Sequence, residues 1–570
     1  MREIFWFLVN LAVSDWVPLS ILAIISFINQ TLYYTYFWQL KEYRLDRMRD
    51  FVRTKSGREK IFTFTLKVRI VCLVVYILTM FFPSRGAQSI FVVYFMSLGL
   101  VVIDLLGMFK RIFLRKLYRP EATIKALLIV ALTILVPIGI PLLMHYMFYL
   151  RMPAELAGES GFKMMMSFAI PYSALYASGL ATFFNAGVVL AFYPITLISK
   201  NIVLAKARKK MAQMQGLKVI GITGSYGKSS VKEFLTVILN TKFRVLKTPG
   251  NTNTEIGVAR IVLKDLKQEH EVFVVEAGAY KIGEIDKIAR LVQPRISIVT
   301  AVKDAHLALF GSIENLKKAK FELIEALPEY GVAIFNQDNE GSKDLMQRAA
   351  NKKLAKVIGY SIKEKANLEA TNVVADSKSI SFVVKGVNFK ANLPGEHNVS
   401  NILAAMAAAL EMGIKLEEMV EAVAELKMRE HTMTVTEVSE KLTIIDDTYN
   451  ANPDGLMAGL NYLEKLEGYQ KVIVFPGMLE LGNRSDEEHL RVGKRIKEVC
   501  DYGIFTSNDF EKPLGKGLGN VDEKKFIFLS EKPTEVEKKI IEIRKNGKTA
   551  IYFSSRGAEK IIRKLKSLND

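Results

Sequence analysis

The chain has 570 residues, half of them hydrophobic, with 78 Lys and Arg against 59 Asp and Glu for a net charge of +19. That length accommodates roughly three or four domains, and a charged fraction of 24% among so many apolar residues excludes an intrinsically disordered chain. Two cysteines, Cys72 and Cys500, exclude a disulfide scaffold and a four-thiolate zinc site.

The average conceals two dissimilar parts. Residues 1–200 hold 21 basic and 10 acidic side chains, whereas the remaining 370 residues hold 57 and 49. The charges of the front part fall in bursts between long apolar runs, a membrane pattern and not a nucleic-acid one. No nucleic-acid partner is therefore expected. Five stretches reach the about 20 helical residues needed to cross a hydrocarbon core: Val17 to Trp38, Leu66 to Phe82, Ser89 to Phe109, Ile124 to Leu150, and Met164 to Ser199, the last interrupted by Pro171 and Pro194. Basic residues set the orientation, because cytoplasmic loops retain Lys and Arg. The loop from Lys41 to Lys60 holds eight of them and Lys110 to Arg119 holds five, while Pro83 to Ala87 holds only Arg85 and Arg151 to Lys163 holds two. The alternation predicts an outside N-terminus, with everything after residue 200 on the cytoplasmic side of the cell membrane.

Glu3 and Asp15 stand in front of the first apolar stretch, and no small-residue cleavage pattern follows it, which argues against a removable signal peptide. Ile4 to Val13 then reads as an interfacial piece or an extension of the first span. Asp104 is the one acidic residue inside the spans, and its position near a basic helix end predicts snorkelling or pairing with Lys110 or Arg111. Lys67, Arg69 and Lys125 are expected to snorkel at span ends. A transport pathway needs more buried charge than this, so the front part is expected to be an anchor, or a platform that meets membrane lipid or a lipid-borne substrate.

After the basic linker at Lys200 to Lys210, short β-branched runs alternate with helical periodicity, the mark of an α/β fold with a parallel sheet. Leu217 to Thr223 is such a strand, and it runs through GSYGKSS into a helix from about Ser229 to Leu239. Glycines there let backbone N–H groups approach phosphate oxygens, and the helix N-terminus adds its partial positive charge. Gly224, Ser225, Gly227 and Ser230 form the cradle, Lys228 is placed to reach the β/γ-phosphates, and the Ser229 hydroxyl to hold Mg2+. Two residues separate Gly224 from Gly227, where the common phosphate loop has four. A second strand in HEVFVVEAGA ends at Glu276, and strand ends of a parallel sheet converge on the ligand crevice, which makes Glu276 a metal-ligand candidate. A third strand, Arg295 to Ala301, precedes His306, either a capping or core histidine or a ligand to a second metal. The helix that follows carries Lys318 and Lys320.

The series GITGSYGKSS, TPGNTNTEIG (248–257), VVEAGAYKIGEI (274–285), HLALFGSIENLKKAKFELIEAL (306–327), GEHNVSNILAA (395–405), DDTYNANPDG (446–455) and MLELGNRSDEEHLRVG (478–493) resembles the Mur ligases. Over roughly residues 205–570 it is most similar to the MurF type, which joins D-alanyl-D-alanine to a UDP-N-acetylmuramoyl tripeptide. The apolar runs place a transmembrane region over 1–204, and the resemblance implies a central ATP-binding domain over 205–430 and a Rossmann-like C-terminal domain over 431–570. It also implies peptide-type bond formation at the expense of ATP, through an acyl phosphate and two Mg2+ ions, between a cell-wall precursor peptide and an amino acid or dipeptide. Lys228, Ser229 and Glu276 are then expected at the phosphates and first Mg2+, and His306 and Lys320 at the second, with Lys320 a candidate for carbamylation. Lys318, two residues from Lys320 on the helix, points elsewhere. Asn398 and Asn401 are expected to pair with adenine and Asp447 with the ribose. Asn251 and Asn253 fall to the substrate, as do Tyr449, Asn450 and Asn452 at the interdomain cleft.

Three departures accompany the resemblance: Ala301 stands where the family has Asn, Gly477 where it has Asp, and Phe553 where it has Lys. The small UDP-binding domain of ordinary Mur ligases also has no counterpart, its place being taken by the apolar front part. A poly-γ-glutamate-type synthetase and a membrane transporter or scaffold switched by ATP are the alternatives. DDTYNANP opposes the first, and the paired metal-site candidates oppose the second.

Overall fold

The computed structural model describes residues 16–41, 43–53, 55–68, 70–71, 74, 99, 101–110, 112, 118–149, 181–250, 252–303, 310–352, 356–376, 379–427, 433–448, 453–478, 481, 484–529, 533–554 and 558–567. The chain divides into two compact units, Met1–Ser199 and Lys200–Asp570.

In the first unit, helices cover Trp16–Leu40, Leu45–Arg53, Lys55–Ile61 and Ile124–Tyr149. The first and last of these coincide with two of the expected spans. Most of the expected spans at Leu66 to Phe82 and Ser89 to Phe109, and the front of Met164 to Ser199, lie outside the described residues. Among the described residues one helix, Ala181–Ala212, is long and apolar enough to cross a membrane, and Ile124–Pro137 forms a shorter apolar helix. The unit is held by apolar packing around Phe27, Phe37 and Ile129 together with buried polar contacts. The Asn185 amide donates to Thr35 Oγ1 at 2.8 Å and to Thr133 Oγ1 at 3.4 Å, tying three helices at fully buried positions. Asp104 Oδ2 accepts hydrogen bonds from Ser26 Oγ (3.0 Å) and Gln30 Nε2 (2.9 Å), so this carboxylate is engaged by the helix Trp16–Leu40. The basic segment Lys200 to Lys210, expected as a linker, is helical: Tyr193–Ala212 continues through it.

The second unit is built on two parallel sheets. Strands β1 (Lys218–Thr223), β2 (Val245–Lys247), β3 (Val272–Glu276), β4 (Ile296–Val299), β5 (Val332–Asn336), β6 (Lys356–Ser361) and β7 (Leu368–Glu369) form a seven-stranded sheet in the order β2-β3-β1-β4-β5-β6-β7. Its strands are apolar on both faces, as strands covered by helices on either side must be. Ile220, Ile222, Val272 and Val274 face a core shared with the helices Lys228–Leu239 and His397–Glu411. Val219, Phe273 and Val275 face the other core, with the helices Glu255–Lys264, Glu284–Val292 and Ile313–Glu325. A small antiparallel sheet of β8 (Thr371–Ala375), β9 (Ile380–Val384) and β10 (Val387–Ala391) packs into the first core.

The C-terminal sheet contains β11 (Thr434–Ser439), β12 (Leu442–Asp447), β13 (Gln470–Phe475), β14 (Tyr502–Phe505), β15 (Phe526–Phe528) and β16 (Thr549–Ser554), ordered β11-β12-β16-β13-β14-β15. Only the β11 edge is antiparallel. This second doubly wound unit has cores on both faces, with Tyr552 on one side and Phe553 on the other.

Phe234 is buried between the phosphate-loop helix and the sheet. Phe234→Ala is expected to cost about 3–5 kcal/mol and to lower the thermal unfolding midpoint of the detergent-solubilised chain, whereas Tyr330→Ala, at a side chain 73% exposed, should leave it in place.

Candidate active site

Strand order creates the site. β1 lies between β3 and β4, so its C-terminal end is the point where the chain switches sides of the sheet, the place where α/β folds bind ligands. The register sets Ile222 beside Glu276 and Thr223 beside Val299. The loop that follows β1 therefore emerges between the ends of both neighbours.

The loop conformation depends on its glycines. Gly224 has φ +148°, and a Cβ there would collide with the Thr300 hydroxyl. Gly227 has φ +79° and caps the helix Lys228–Leu239, with the place of its missing Cβ 2.6 Å from Asn401 Oδ1. Ser225 N donates to the Ala301 carbonyl at 2.5 Å and Ser225 Oγ to the Lys303 carbonyl at 2.8 Å. At Ala301, then, it is the backbone that organises the loop, which needs no amide side chain there. Lys228 Nζ folds back onto the carbonyls of Gly224 (2.7 Å) and Ser225 (3.2 Å), holding its charge over the cradle.

Glu276 is the electrostatic centre. Its Oε2 accepts from Ser229 Oγ at 2.9 Å and from Lys232 Nζ at 3.0 Å, and its Oε1 from Asn253 Nδ2 at 3.2 Å. Burial pushes the carboxyl up, but the charges of Lys228 and Lys232 and the hydrogen bonds from Lys232 and Ser229 outweigh it, so the group titrates below the ordinary carboxylate value. Lys232 is fully buried and also donates to the Gly250 carbonyl at 2.8 Å, fastening Gly250 to the helix. Sequence reasoning missed this lysine. Its signal was its spacing, three residues after Ser229 and four after Lys228, which puts all three on one helical face.

Lys320 is buried on the helix Ile313–Glu325, whose N-terminus Ser312 caps by accepting from Asn315 N. Burial and the charge of Lys228 bring its ammonium down to about 7, against the opposing influence of Glu276 and Glu322. Lys318 is exposed, as helical spacing requires. His306 and Asn251 lie outside the described residues, as do Tyr449, Asn450 and Asn452. Among the described residues no group of three or more His, Cys, Asp or Glu side chains gathers to hold a metal. The ligand chemistry on view is the Ser229 hydroxyl with the Glu276 carboxylate, a hard oxygen pair suited to Mg2+.

The two asparagines of the HNVSN turn play different parts. Asn398 is fully buried and donates to the Pro394 carbonyl at 2.8 Å, while Asn401 Nδ2 donates to Asn398 Oδ1 at 3.3 Å. Asn401 is thereby fixed against Gly227, and Asn398 supports it from within. In the C-terminal sheet, Asp447 accepts from Met433 N (3.1 Å) and Tyr552 Oη (3.0 Å), and burial raises its carboxyl to about 6. Phe553 is buried among Ile540, Ile561 and Ile562, on the sheet face opposite Tyr552, where a lysine would be an unpaired interior charge. Gly477 has φ +98° and lies under the Phe510 ring, which stacks on His489 with centroids 4.0 Å apart.

Residues 222–409 match the Mur ligase middle domain, and residues 431–558 match the Mur ligase glutamate ligase domain. The UDP-N-acetylmuramoyl-tripeptide–D-alanyl-D-alanine ligase of Bacillus subtilis is 31% identical over 386 residues, which cover 67% of this chain and 81% of the relative. The Escherichia coli enzyme of the same name is 31% identical over 55% of this chain and 71% of its own length. Among solved structures, MurF from Acinetobacter baumannii superposes with a TM-score of 0.59 at 27% identity, covering 65% of this chain and 81% of that one. MurF from Thermotoga maritima in complex with ADP gives 0.55 at 27% identity, covering 65% and 83%.

Removing one partner of a buried ion pair strands the other charge, so Lys232→Met and Glu276→Leu are each expected to destabilise the protein by about 3–5 kcal/mol, and the double variant by less than their sum. Because the folded-state carboxyl of Glu276 titrates low, its stabilisation is complete above roughly pH 5 and is lost progressively as pH falls through the unfolded-state and then the folded-state value. Melting curves of the four proteins between pH 3 and pH 7 check both points.

Proposed function

This chain belongs to the Mur ligase family, and we propose that it joins D-alanyl-D-alanine, or a closely similar amine, to the peptide of a cell-wall precursor while anchored by several helices in the cytoplasmic membrane. It is an ATP-dependent, ADP-forming ligase. The observation that carries the reading is the convergence of Lys228, Ser229, Lys232 and Glu276 at the switch point of the parallel sheet, since forming an amide from a carboxylate demands neutralised phosphate charge above all. In the reaction, a carboxylate oxygen of the acceptor takes the γ-phosphoryl group, releasing ADP. The amine nitrogen then attacks the acyl carbon and gives up one proton to solvent, and phosphate leaves with that oxygen. Bound Mg2+ supplies neutralisation of the charge on the transferring group.

The chain's own residues divide this work. Ser229 and Glu276 would hold the first ion, and Lys228 would leave the carbonyls of Gly224 and Ser225 for the γ-phosphate. Lys320, with its ammonium brought down to about 7, has a large neutral fraction near physiological pH. A neutral amine can take up CO2, and the resulting carbamate would serve a second ion together with His306. Asn401, with Asn398 behind it, would receive adenine, and Asp447 the ribose. Asn251, Asn253, Tyr449, Asn450 and Asn452 would face the peptide substrates.

The apolar helices Trp16–Leu40, Ile124–Tyr149 and Ala181–Ala212, with the alternating basic loops, support a multi-pass anchor whose catalytic unit faces the cytoplasm. The residues matched to the family begin at 222. An acceptor carried on a membrane lipid, its pyrophosphate meeting the basic loops, suits a chain whose front part is apolar.

ADP release should require both an acceptor and an amine across a panel of amino acids and dipeptides. Lys228→Ala should abolish it. Lys320→Ala should lose most activity and regain part of it with added short carboxylates, while wild-type activity should rise with bicarbonate and fall on acidification below about pH 7 as the amine becomes protonated. In a second assay, UDP-linked and lipid-linked acceptors are compared side by side. The lipid-linked one should turn over faster with the full-length protein, and the reverse order would remove the lipid-substrate reading.

A further inference from the structure

The helix Tyr193–Ala212 brings the chain into the second unit, and its later turns are built into the core of that unit. Leu204 and Ala207 are buried in the same cluster as Val258, Ala259, Ile261 and Val262 of the helix Glu255–Lys264. Lysines fasten both ends of this contact. Lys200 Nζ lies 2.6 Å from Glu255 Oε2, and Lys210 Nζ donates to the Leu263 carbonyl at 3.0 Å. At 1.5 Å per residue the two spans rise about 15 Å and about 12 Å, so the helices run in the same direction over matched lengths. A lysine at the C-terminal carbonyls is favourable on its own account. Lys200 instead meets the N-terminal turn, where only the Glu255 carboxylate makes a cation welcome. Glu255 is 9% exposed, so its charge is largely removed from water with this partner beside it.

The fastened turn leads directly into the site. Two residues before Glu255, Asn253 donates its side-chain amide to Glu276 Oε1 at 3.2 Å, and its carbonyl accepts from Gly278 N at 2.9 Å. Thr254, at the helix N-cap, makes no side-chain cap of its own. The first turn thus lacks the usual local restraint.

We infer that Lys200 is a positioning residue: its ion pair with Glu255 substitutes for a helix cap and holds Asn253 against Glu276, so that the segment linking the two units sets the affinity of the site for Mg-nucleotide. This rests on the reading of Glu276 as a residue of the Mg-nucleotide site. It assigns Lys200 no contact with substrate.

The test uses the full-length protein in detergent, with two readouts that do not need turnover: amide hydrogen exchange over residues 253–258, and titration with a fluorescent ADP analogue in the presence of Mg2+. Lys200→Ala is expected to speed exchange there and to weaken nucleotide binding by about two- to fivefold, with kcat unchanged at saturating nucleotide. Lys200→Arg should restore both, and the exchange Lys200→Glu with Glu255→Lys should recover part of the loss. Lys206→Ala, at an exposed position on the same helix, serves as the control and should behave as wild type. Unchanged nucleotide affinity in Lys200→Ala overturns the inference whether or not exchange rises, and so does an equal effect from Lys206→Ala. If no acceptor supports ADP release, the ligase reading falls, while exchange and nucleotide titration still decide the role of Lys200.

Discussion

A carboxylate buried at the end of a strand is tolerable only if its charge is answered, and in this protein the answer to Glu276 organises everything near it. Three donors from different parts of the chain meet it: the Ser229 hydroxyl and Lys232 ammonium from one helix, and the Asn253 amide from the loop that follows β2. Each contact also secures its own segment. Lys232 ties the Gly250 carbonyl to the helix, and Asn253 ties its carbonyl to Gly278. The side chains of the cradle therefore hold one another in place through a connected polar network.

The parallel sheet makes this economical. Because β1 is flanked by β3 and β4, the residues that must converge need only stand at the ends of adjacent strands. The helices on both faces then supply Lys228 and Lys320 from opposite sides of the sheet, since Lys228–Leu239 packs into one core and Ile313–Glu325 into the other. The charge of Lys228 adds to burial in lowering the Lys320 ammonium, and burial with the charge of Lys232 lowers Lys228 itself, so the positive charge gathered here is an asset where phosphate is the ligand.

Much of this was legible in the residues. The run LKVIGIT into GSYGKSS has strand, loop and helix in the order that chemistry requires, and Glu276 ends an apolar run as strand-end ligands do. The helical phase that separates Lys318 from Lys320 needed only 3.6 residues per turn. What stayed hidden depends on chain segments far apart. Lys232 looks like any solvated helical lysine until the Gly250 carbonyl and the Glu276 carboxylate meet it, 18 and 44 residues further along the chain. The segment Lys200 to Lys210 reads as a linker because its charges suggest solvent, yet Leu204 and Ala207 supply an apolar stripe too narrow to dominate the composition. Asp104 found its donors 74 and 78 residues away, beyond the reach of any local pattern.

The C-terminal domain shows how departures from a family pattern become locked together. At Gly477 a positive φ and the overlying Phe510 ring leave no room for a side chain, and that ring is in turn seated on His489, whose Nε2 accepts from Met478 N. An aspartate alone at this position would be a lesion, because the space it needs is filled by an aromatic stack. Gly477, Phe510 and His489 are packed as one set, so consensus engineering that scores each position independently would propose a change here that the neighbouring rings cannot accommodate.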